Sequence, residues 1–285
     1  MKKLPFFLLL ILLLVINSVD SQTPALWRYV LQWPPTYCME LNSGQGTTWG
    51  RCQEPIPQRE FTLHGLWPAD ADGKIITCPD KPDPNWNQLF RPIEDKLVKF
   101  WPQLRENSNS RDLWKHEWRS HGVCGGITPQ VYFNRAIGIN NMFEKGNLFN
   151  YLATSGIIAC DSLAFSRTEI IDAVRKVFVE SPPPSPPPAL DVYLTCIPIN
   201  DKKKSHFYLR EVTLCINLAG TAFISCPKKG APSSQEFSCS GGAKIMLPHP
   251  KAQPSAPPPP RLYQENIDGT DPTFEQSWAE YIFNG

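Results

Sequence analysis

The residues best suited to chemistry in this sequence are histidines grouped in two short segments. Of the five histidines, His64 lies in FTLHGLWP, and His116 and His121 lie in KHEWRSHGVC. Glu117 lies within the second segment, whose residues 111–121 have the pattern of a helix. In a helix Glu117 and His121 are four residues apart and share a face, with His116 at its edge. This grouping predicts a reactive site rather than three unrelated structural histidines.

A zinc site is the first alternative for such a group. Metalloproteases place two histidines at i and i+4, whereas His116 and His121 are five apart, about 140° round a helix. The nine cysteines are scattered, and none forms the CxxC pair typical of structural zinc sites. We therefore expect neither a metal ion nor another cofactor.

The second alternative is acid–base catalysis without a metal. One imidazole accepts a proton while the other donates one, since both titrate near a pKa of ~6.5. Attack of a ribose 2′-hydroxyl on the neighbouring phosphodiester needs such a pair. The base removes the 2′ proton and the acid protonates the departing 5′ oxygen. DNA lacks the 2′ nucleophile, so an enzyme of this kind cleaves only RNA.

The two histidine segments resemble the active-site segments of the ribonuclease T2 family. The similarity extends from about Trp27 to Leu247 and includes LQWPPTYC, LWKHEW and the stretch from Leu152 to Ile157. The resemblance implies an α+β fold in which an antiparallel-rich central sheet packs with several helices and disulfides staple the chain. It implies an endoribonuclease that cleaves single-stranded RNA through a 2′,3′-cyclic phosphate.

The resemblance also assigns roles to individual side chains. By position, His64 is the general acid and His121 the general base. His116 helps to bind the phosphate, and Glu117 helps to stabilise the transition state. Trp67 stacks on the base on the 5′ side of the cleaved bond.

The sequence departs from the family pattern at two positions. The family usually has Lys before the second catalytic histidine, where this chain has Ser120. Arg119 is adjacent but ~100° away on a helix. Ala69 stands where relatives often carry Asp or Asn for reading the base, with Asp70 next to it, so we expect low base specificity. The loss of the lysine leaves open a catalytically weakened homologue with a binding, defence or storage role.

The resemblance pairs eight of the nine cysteines. Each bridge is expected to stabilise the fold by roughly 2–4 kcal/mol. Cys160 is left over, and its apolar neighbours predict a buried free thiol. The implied pairs are Cys38–Cys52, Cys78–Cys124, Cys215–Cys226 and Cys196–Cys239.

Helical and strand patterns are mixed along the chain without the regular alternation of βαβ units, which independently favours an α+β fold. A capping box of Ser166 and Glu169 predicts the start of a helix that runs to the first proline cluster. Pro34 and Pro35 are expected to stop the first strand, with a long loop containing Cys38 and Cys52 after it. The other expected elements are strands at 25–33 and 61–63, helices at 86–101 and 111–121 (capped by Ser110), and a half-buried strand at 212–218 paired with 221–225.

Composition bounds the rest of the chain. Residues 1–21 have the basic start and short apolar run of a secretory signal peptide, too short to span a membrane. We expect a secreted or vacuolar monomer, with no membrane association once the signal is removed. The chain has 28 basic and 27 acidic residues, which argues against a strongly cationic DNA-coating protein. The ribonuclease-like domain is expected at 22–247 with a proline-rich inserted loop at 181–189, and a mobile proline-rich extension at 248–285.

Overall fold

The computed structural model describes residues 23–43, 50–57, 59–179, 190–199, 206–232, 239, 242 and 244–249. The expected signal peptide, the proline-rich loop and all but the first two residues of the C-terminal extension lie outside these residues. The described chain has the expected α+β architecture: a six-stranded, mainly antiparallel sheet packed with helices. None of its described helices is both long enough and apolar enough to cross a lipid bilayer.

The sheet has the strand order β2-β1-β4-β3, and neighbouring strands along this path are antiparallel. Two short strands join β4 away from this path, β5 antiparallel and β6 parallel. The strands are β1 (Leu26–Gln32), β2 (Thr62–Ala69), β3 (Tyr193–Pro198), β4 (His206–Asn217), β5 (Phe223–Ile224) and β6 (Lys244–Met246).

Seven α-helices and two short 3-10 turns accompany the sheet in the described residues. Helix α7 begins with the expected capping box, in which Ser166 and Glu169 each bind the other's backbone N–H. The helices are α1 (Pro34–Ser43), α2 (Trp86–Phe90), α3 (Glu94–Phe100), α4 (Ser110–Ser120), α5 (Pro129–Asn140), α6 (Leu148–Ala153) and α7 (Arg167–Val179); the 3-10 turns are Gly122–Cys124 and Lys228–Gly230.

Proline accounts for two differences from the sequence-based expectations. The expected loop around Cys38 is helix α1, because prolines in a first helical turn lack only N–H groups that have no intrahelical acceptor. The expected helix at 86–101 is two helices, interrupted around Pro92, since proline cannot donate the interior helical hydrogen bond. Helices α5 and α6 lie in segments for which no helix was expected.

Burial of the central strands explains another difference. All seven residues of β1 are buried, and residues 211–216 of β4 are buried without alternation. The prediction of a half-buried strand was therefore wrong, because β4 lies between β1 and β3 and is covered on both faces. Strand β2 is longer than expected and contains most of the first histidine segment.

Four disulfides join the cysteine pairs implied by the resemblance. Cys160 is unpaired, as expected, but the prediction that it is buried was wrong. It lies in a half-exposed segment, where its sulfur is 3.2 Å from the hydroxyl of Ser162. The apolar residues before it did not predict burial because Ile158 is itself exposed.

Candidate active site

His64 stands at a β-bulge in strand β2. Val30 of β1 pairs with Gly65 and the next residue, Leu31, pairs with Leu63, so His64 is the extra residue between two paired positions. Its backbone carbonyl accepts a hydrogen bond of 2.9 Å from the indole N–H of buried Trp101. Bulges redirect side chains and are common beside active sites. The bulge therefore lets His64 leave the regular alternation of the strand.

Helix α4 delivers the second histidine segment. The side chain of Asn109, rather than the expected Ser110, caps its N-terminus. The helix ends at His121, whose backbone N–H donates to the carbonyl of Glu117 at 3.0 Å. The sulfurs of Cys78 and Cys124 lie 3.1 and 3.6 Å from the carbonyl oxygen of His121. A disulfide thus lies against the backbone of the residue expected to be the base.

Trp67 is the point where the two segments meet. Its ring centroid lies 5.1 Å from that of His64 and 4.9 Å from that of His121. Its indole N–H donates a 2.8 Å hydrogen bond to the Glu117 carboxylate. The structure therefore brings together three of the residues expected to be catalytic through one aromatic side chain. The expected stacking of Trp67 on a base stays a prediction, and the residue is half-buried.

Glu117 is an almost completely buried carboxyl group, with 2% of its surface exposed. Burial raises its pKa to about 7, although the positive charge of His64 and the hydrogen bond from Trp67 act in the opposite direction. Gly65 makes this burial possible. A β-carbon at that position would lie 2.1 Å from the Glu117 carboxylate oxygen and 2.2 Å from the Trp67 indole nitrogen.

The environments of His64 and His121 push their pKa values in opposite directions. Burial, followed by the positive charges of His64 and His116, lowers the pKa of His121 to about 3. Its Nδ1 is buried and has no hydrogen-bond partner among the described residues, which further disfavours an imidazolium. Burial also opposes the charged form of His64, but the hydrogen bond and negative charge of Glu211 outweigh it and raise the pKa.

Glu211 is the residue of this site that the sequence analysis missed. It lies on β4 with 6% of its surface exposed, and its carboxylate is 2.7 Å from Nδ1 of His64. A guanidinium nitrogen of Arg210 lies 3.6 Å from the same oxygen. The available signal was the adjacent charged pair Arg210 and Glu211 within the mainly apolar stretch from Leu209 to Ile216.

His116 lies beside this centre on the exposed face of α4. Loss of surrounding water is the largest influence on its imidazole and lowers its pKa, and the positive charges of His64 and Arg119 act in the same direction. The residue as a whole is accessible from solvent, and it directly precedes the buried Glu117 on the helix.

Of three expected substrate-binding residues, two already have other partners, and the third, Ser120, directly precedes His121. Arg119 forms a salt bridge with Asp83 and does not join the histidine cluster. Asp70 uses one carboxylate oxygen to accept the backbone N–H groups of Asp72 and Lys74, each at 2.9 Å. Ser120 is the half-buried last residue of α4. Within the described ranges, no group of three or more His, Cys, Asp or Glu side chains has a metal-binding arrangement.

Comparison with known proteins matches most of the chain to one family. The model of the Ribonuclease T2 family matches residues 25–226. Intracellular ribonuclease LX of Solanum lycopersicum is 28% identical over 79% of this chain and 87% of its own length. Ribonuclease 1 of Arabidopsis thaliana is 30% identical over 77% of this chain and 89% of its own length. The crystal structure of RNase NT in complex with 5′-AMP has a TM-score of 0.61 and 24% identity, covering 80% of this chain and all of that one.

Proposed function

The chain belongs to the ribonuclease T2 family and is by that membership an endoribonuclease; we propose that it cleaves single-stranded RNA by 2′-hydroxyl transphosphorylation without a metal. The observation that carries this mechanism is that the pKa values of His64 and His121 are shifted in opposite directions, although both imidazoles lie against the indole of Trp67. The pKa of His64 is raised and that of His121 is lowered to about 3. Titratable neighbours whose environments separate their pKa values are suited to act as acid and base.

In the proposed first step, neutral His121 removes the proton from the ribose 2′-hydroxyl. The 2′ oxygen forms a bond to phosphorus while the bond from phosphorus to the 5′ oxygen breaks. His64 gives its proton to the departing 5′ oxygen, so that no alkoxide is released. The products are a 2′,3′-cyclic phosphate and a free 5′-hydroxyl, and the two histidines have exchanged protonation states. Water then opens the cyclic phosphate with the two roles reversed.

Glu117 and His116 act on the phosphate in this proposal. Because the pKa of Glu117 is about 7, its carboxyl group is protonated at pH 5 and donates a hydrogen bond to a phosphorane oxygen. The imidazole of the exposed residue His116 binds a second phosphate oxygen. Trp67 holds the Glu117 carboxyl group in place through its indole N–H. We propose these roles from the position and charge of each group.

We also propose that the enzyme discriminates weakly between bases. Ala69, which stands where the family often has a polar base-reading residue, is fully buried. The carboxylate of Asp70 is already used in its own turn. Dinucleoside monophosphates with each of the four bases should therefore be cleaved at similar rates. A strong preference for adenine would contradict this proposal.

RNA digestion tests the mechanism directly. The rate should rise with pH as His121 loses its proton, with a pKa of about 3, and fall at higher pH as His64 loses its own, because the pKa of His64 is raised above its ordinary value. Substitutions His64→Ala and His121→Ala should each lower kcat by ~10²–10⁴-fold. EDTA should leave the rate unchanged. Loss of activity with EDTA, or full activity of either variant, would contradict the mechanism.

The second candidate function is a catalytically weakened homologue, retained for binding, defence or storage. The observation that favours it is Ser120 at the position of the family's lysine, together with Arg119, which is held by Asp83. One missing charge-stabilising donor costs ~10²–10³-fold in rate. The variant Ser120→Lys should raise kcat at pH 5, with Ser120→Gln as a control of similar length and no charge. An equal rate for all three proteins would show that the missing ammonium does not limit catalysis.

We propose that the protein acts as a monomer in the secretory pathway, either outside the cell or in the vacuole. The support is its four disulfides, since such bonds form and persist in oxidising compartments. Expression of the full chain with fractionation of cells and medium tests the location. Retention of a reduced protein in the cytosol would contradict it.

A further inference from the structure

Two β-bulges bring an acidic and a basic side chain of β4 to the histidine of β2. The first bulge makes His64 the extra residue of its strand. In the second, Thr195 of β3 pairs with Glu211 and the next residue, Cys196, pairs with Leu209, so Arg210 is the extra residue. Strand β1 lies between β2 and β4. The side chains of His64 and Glu211 therefore meet across the intervening strand β1. Regular strand pairing without bulges does not by itself predict this contact.

The meeting point is the start of a chain of alternating charges. Nδ1 of His64 lies 2.7 Å from an oxygen of Glu211, and a nitrogen of Arg210 lies 3.6 Å from that oxygen. The Nε of Arg210 donates a 2.8 Å hydrogen bond to Glu40 of helix α1. Glu211 has 7% of its side chain exposed, whereas Glu40 has 23%. A buried carboxylate held in this way has little freedom to leave the imidazole.

We propose that Glu211 is the positioning residue of the catalytic acid: its carboxylate accepts a hydrogen bond from Nδ1–H of His64, fixes the ring plane, and leaves the Nε2 proton as the one given to the departing 5′ oxygen. This inference rests on the proposed role of His64. Glu211 touches neither the substrate nor the reacting atoms. Its effect reaches the reaction only through the imidazole.

Charged groups from three directions act on this pair. Glu211 stabilises the imidazolium of His64 from β4, while Arg210 opposes it; Glu117 adds a smaller negative charge from α4 only where it is ionised, above its pKa of about 7. The positive charges of Arg210, His64 and Arg28 keep the pKa of Glu211 low, at about 2, against the effect of burial. Glu211 is therefore ionised throughout the acidic pH range in which His64 must keep its proton. The positive charge of His64 also acts on His116 and His121 and lowers the pKa of each.

The test compares two substrates that differ in their need for an acid. A dinucleoside monophosphate releases an alkoxide-like 5′ oxygen, which requires a proton. A nucleoside 3′-(4-nitrophenyl phosphate) releases a phenolate, which departs without one. Glu211→Gln should lower kcat on the dinucleotide by ~10–10²-fold, part of the ~10²–10⁴-fold that general acid catalysis contributes. On the nitrophenyl ester it should lose less than about threefold, with KM unchanged for both substrates.

Matched variants complete the design. Glu40→Gln removes the carboxylate on the other side of Arg210 and should leave both rates within about threefold of the wild type. Glu211→Asp keeps the charge and should recover part of the dinucleotide rate. The pH titration of His64, followed by NMR of labelled imidazole, should move downward by roughly 1–3 units in Glu211→Gln, the usual effect of losing an adjacent opposite charge.

The outcomes separate a failure of the positioning role of Glu211 from a failure of the role of His64 as the acid. Equal losses on both substrates in Glu211→Gln, or an unmoved titration of His64, would overturn the positioning role. If Glu211→Gln does not fold, the titration and both rates of Glu211→Asp decide the same question, because its shorter side chain should weaken the contact. His64→Ala is measured alongside. An equal loss in that variant on both substrates would show that His64 is not the acid, which is a failure of the proposed function itself.

Discussion

A single methyl group added at Gly65 should disable the active site while leaving the fold intact. Gly65 follows His64 on β2, and its φ is not in the left-handed region, so alanine introduces no backbone strain there. The cost comes from contacts: the new β-carbon would lie 2.1 Å from the Glu117 carboxylate oxygen and 2.2 Å from the Trp67 indole nitrogen. Both atoms must retreat by about 1.3 Å to reach ordinary contact distances of ~3.5 Å.

That displacement disrupts the hydrogen bond between the Trp67 indole N–H and the Glu117 carboxylate. A misplacement of about 1 Å in an active site costs ~10²-fold in rate. Overpacking costs about 1–3 kcal/mol, of which roughly 0.5 kcal/mol is offset because alanine restricts the unfolded chain. The net loss of about 0.5–2.5 kcal/mol lowers Tm by roughly 1–10 °C for a domain of this size. We therefore expect Gly65→Ala to remain folded with kcat reduced ~10²-fold.

The assay is kcat on a dinucleoside monophosphate at pH 5, with thermal unfolding followed by circular dichroism. Gly138→Ala is the matched control, since Gly138 lies inside α5 and a β-carbon there meets no atom within 4 Å. Alanine in a helix interior should stabilise by about 0.5–1 kcal/mol and leave kcat unchanged. A Gly65→Ala enzyme with kcat within threefold of the wild type and an unchanged Tm would contradict this prediction, because the contacts would then have relaxed without consequence.

Two further predictions concern a buried acid and a disulfide. Folding raises the pKa of Glu117 from about 4.5 to about 7, so the wild type loses stability as pH rises between these values; Glu117→Gln should be relatively more stable at pH 8 than at pH 4, by up to about 3 kcal/mol, and less active. Denaturant unfolding at both pH values checks this, and an equal difference at both would contradict it. Replacing Cys78 and Cys124 by Ser should lower both Tm and kcat, because this bridge lies against the His121 carbonyl. Replacing Cys38 and Cys52 by Ser should lower Tm alone, each bridge contributing ~2–4 kcal/mol; equal loss of kcat in both double variants would contradict a special role for the first.

The sequence specified much of the frame around this site. The capping box at Ser166, the buried aromatic residues of β1 and the strand pair β4–β5 follow from local patterns, because caps and side-chain alternation involve only near neighbours in the chain. The four disulfides followed from the resemblance to a family. The helix at Pro34 was missed because a pair of prolines can both end a strand and begin a helix, so the two prolines alone do not reveal the helix. The continuous burial of β4 was missed because alternation does not reveal what covers each face.

The sequence alone indicated His64, His116, Glu117 and His121 as candidate site residues, because the two motifs that contain them are short and local. The proton affinity on which each proposed acid or base role depends was decided by tertiary structure. The proton affinity of His64 depends on Glu211, which is 147 residues away along the chain. That of His121 depends on burial of its ring. Burial and charge act through space, and here two β-bulges and one indole determine which charges are near.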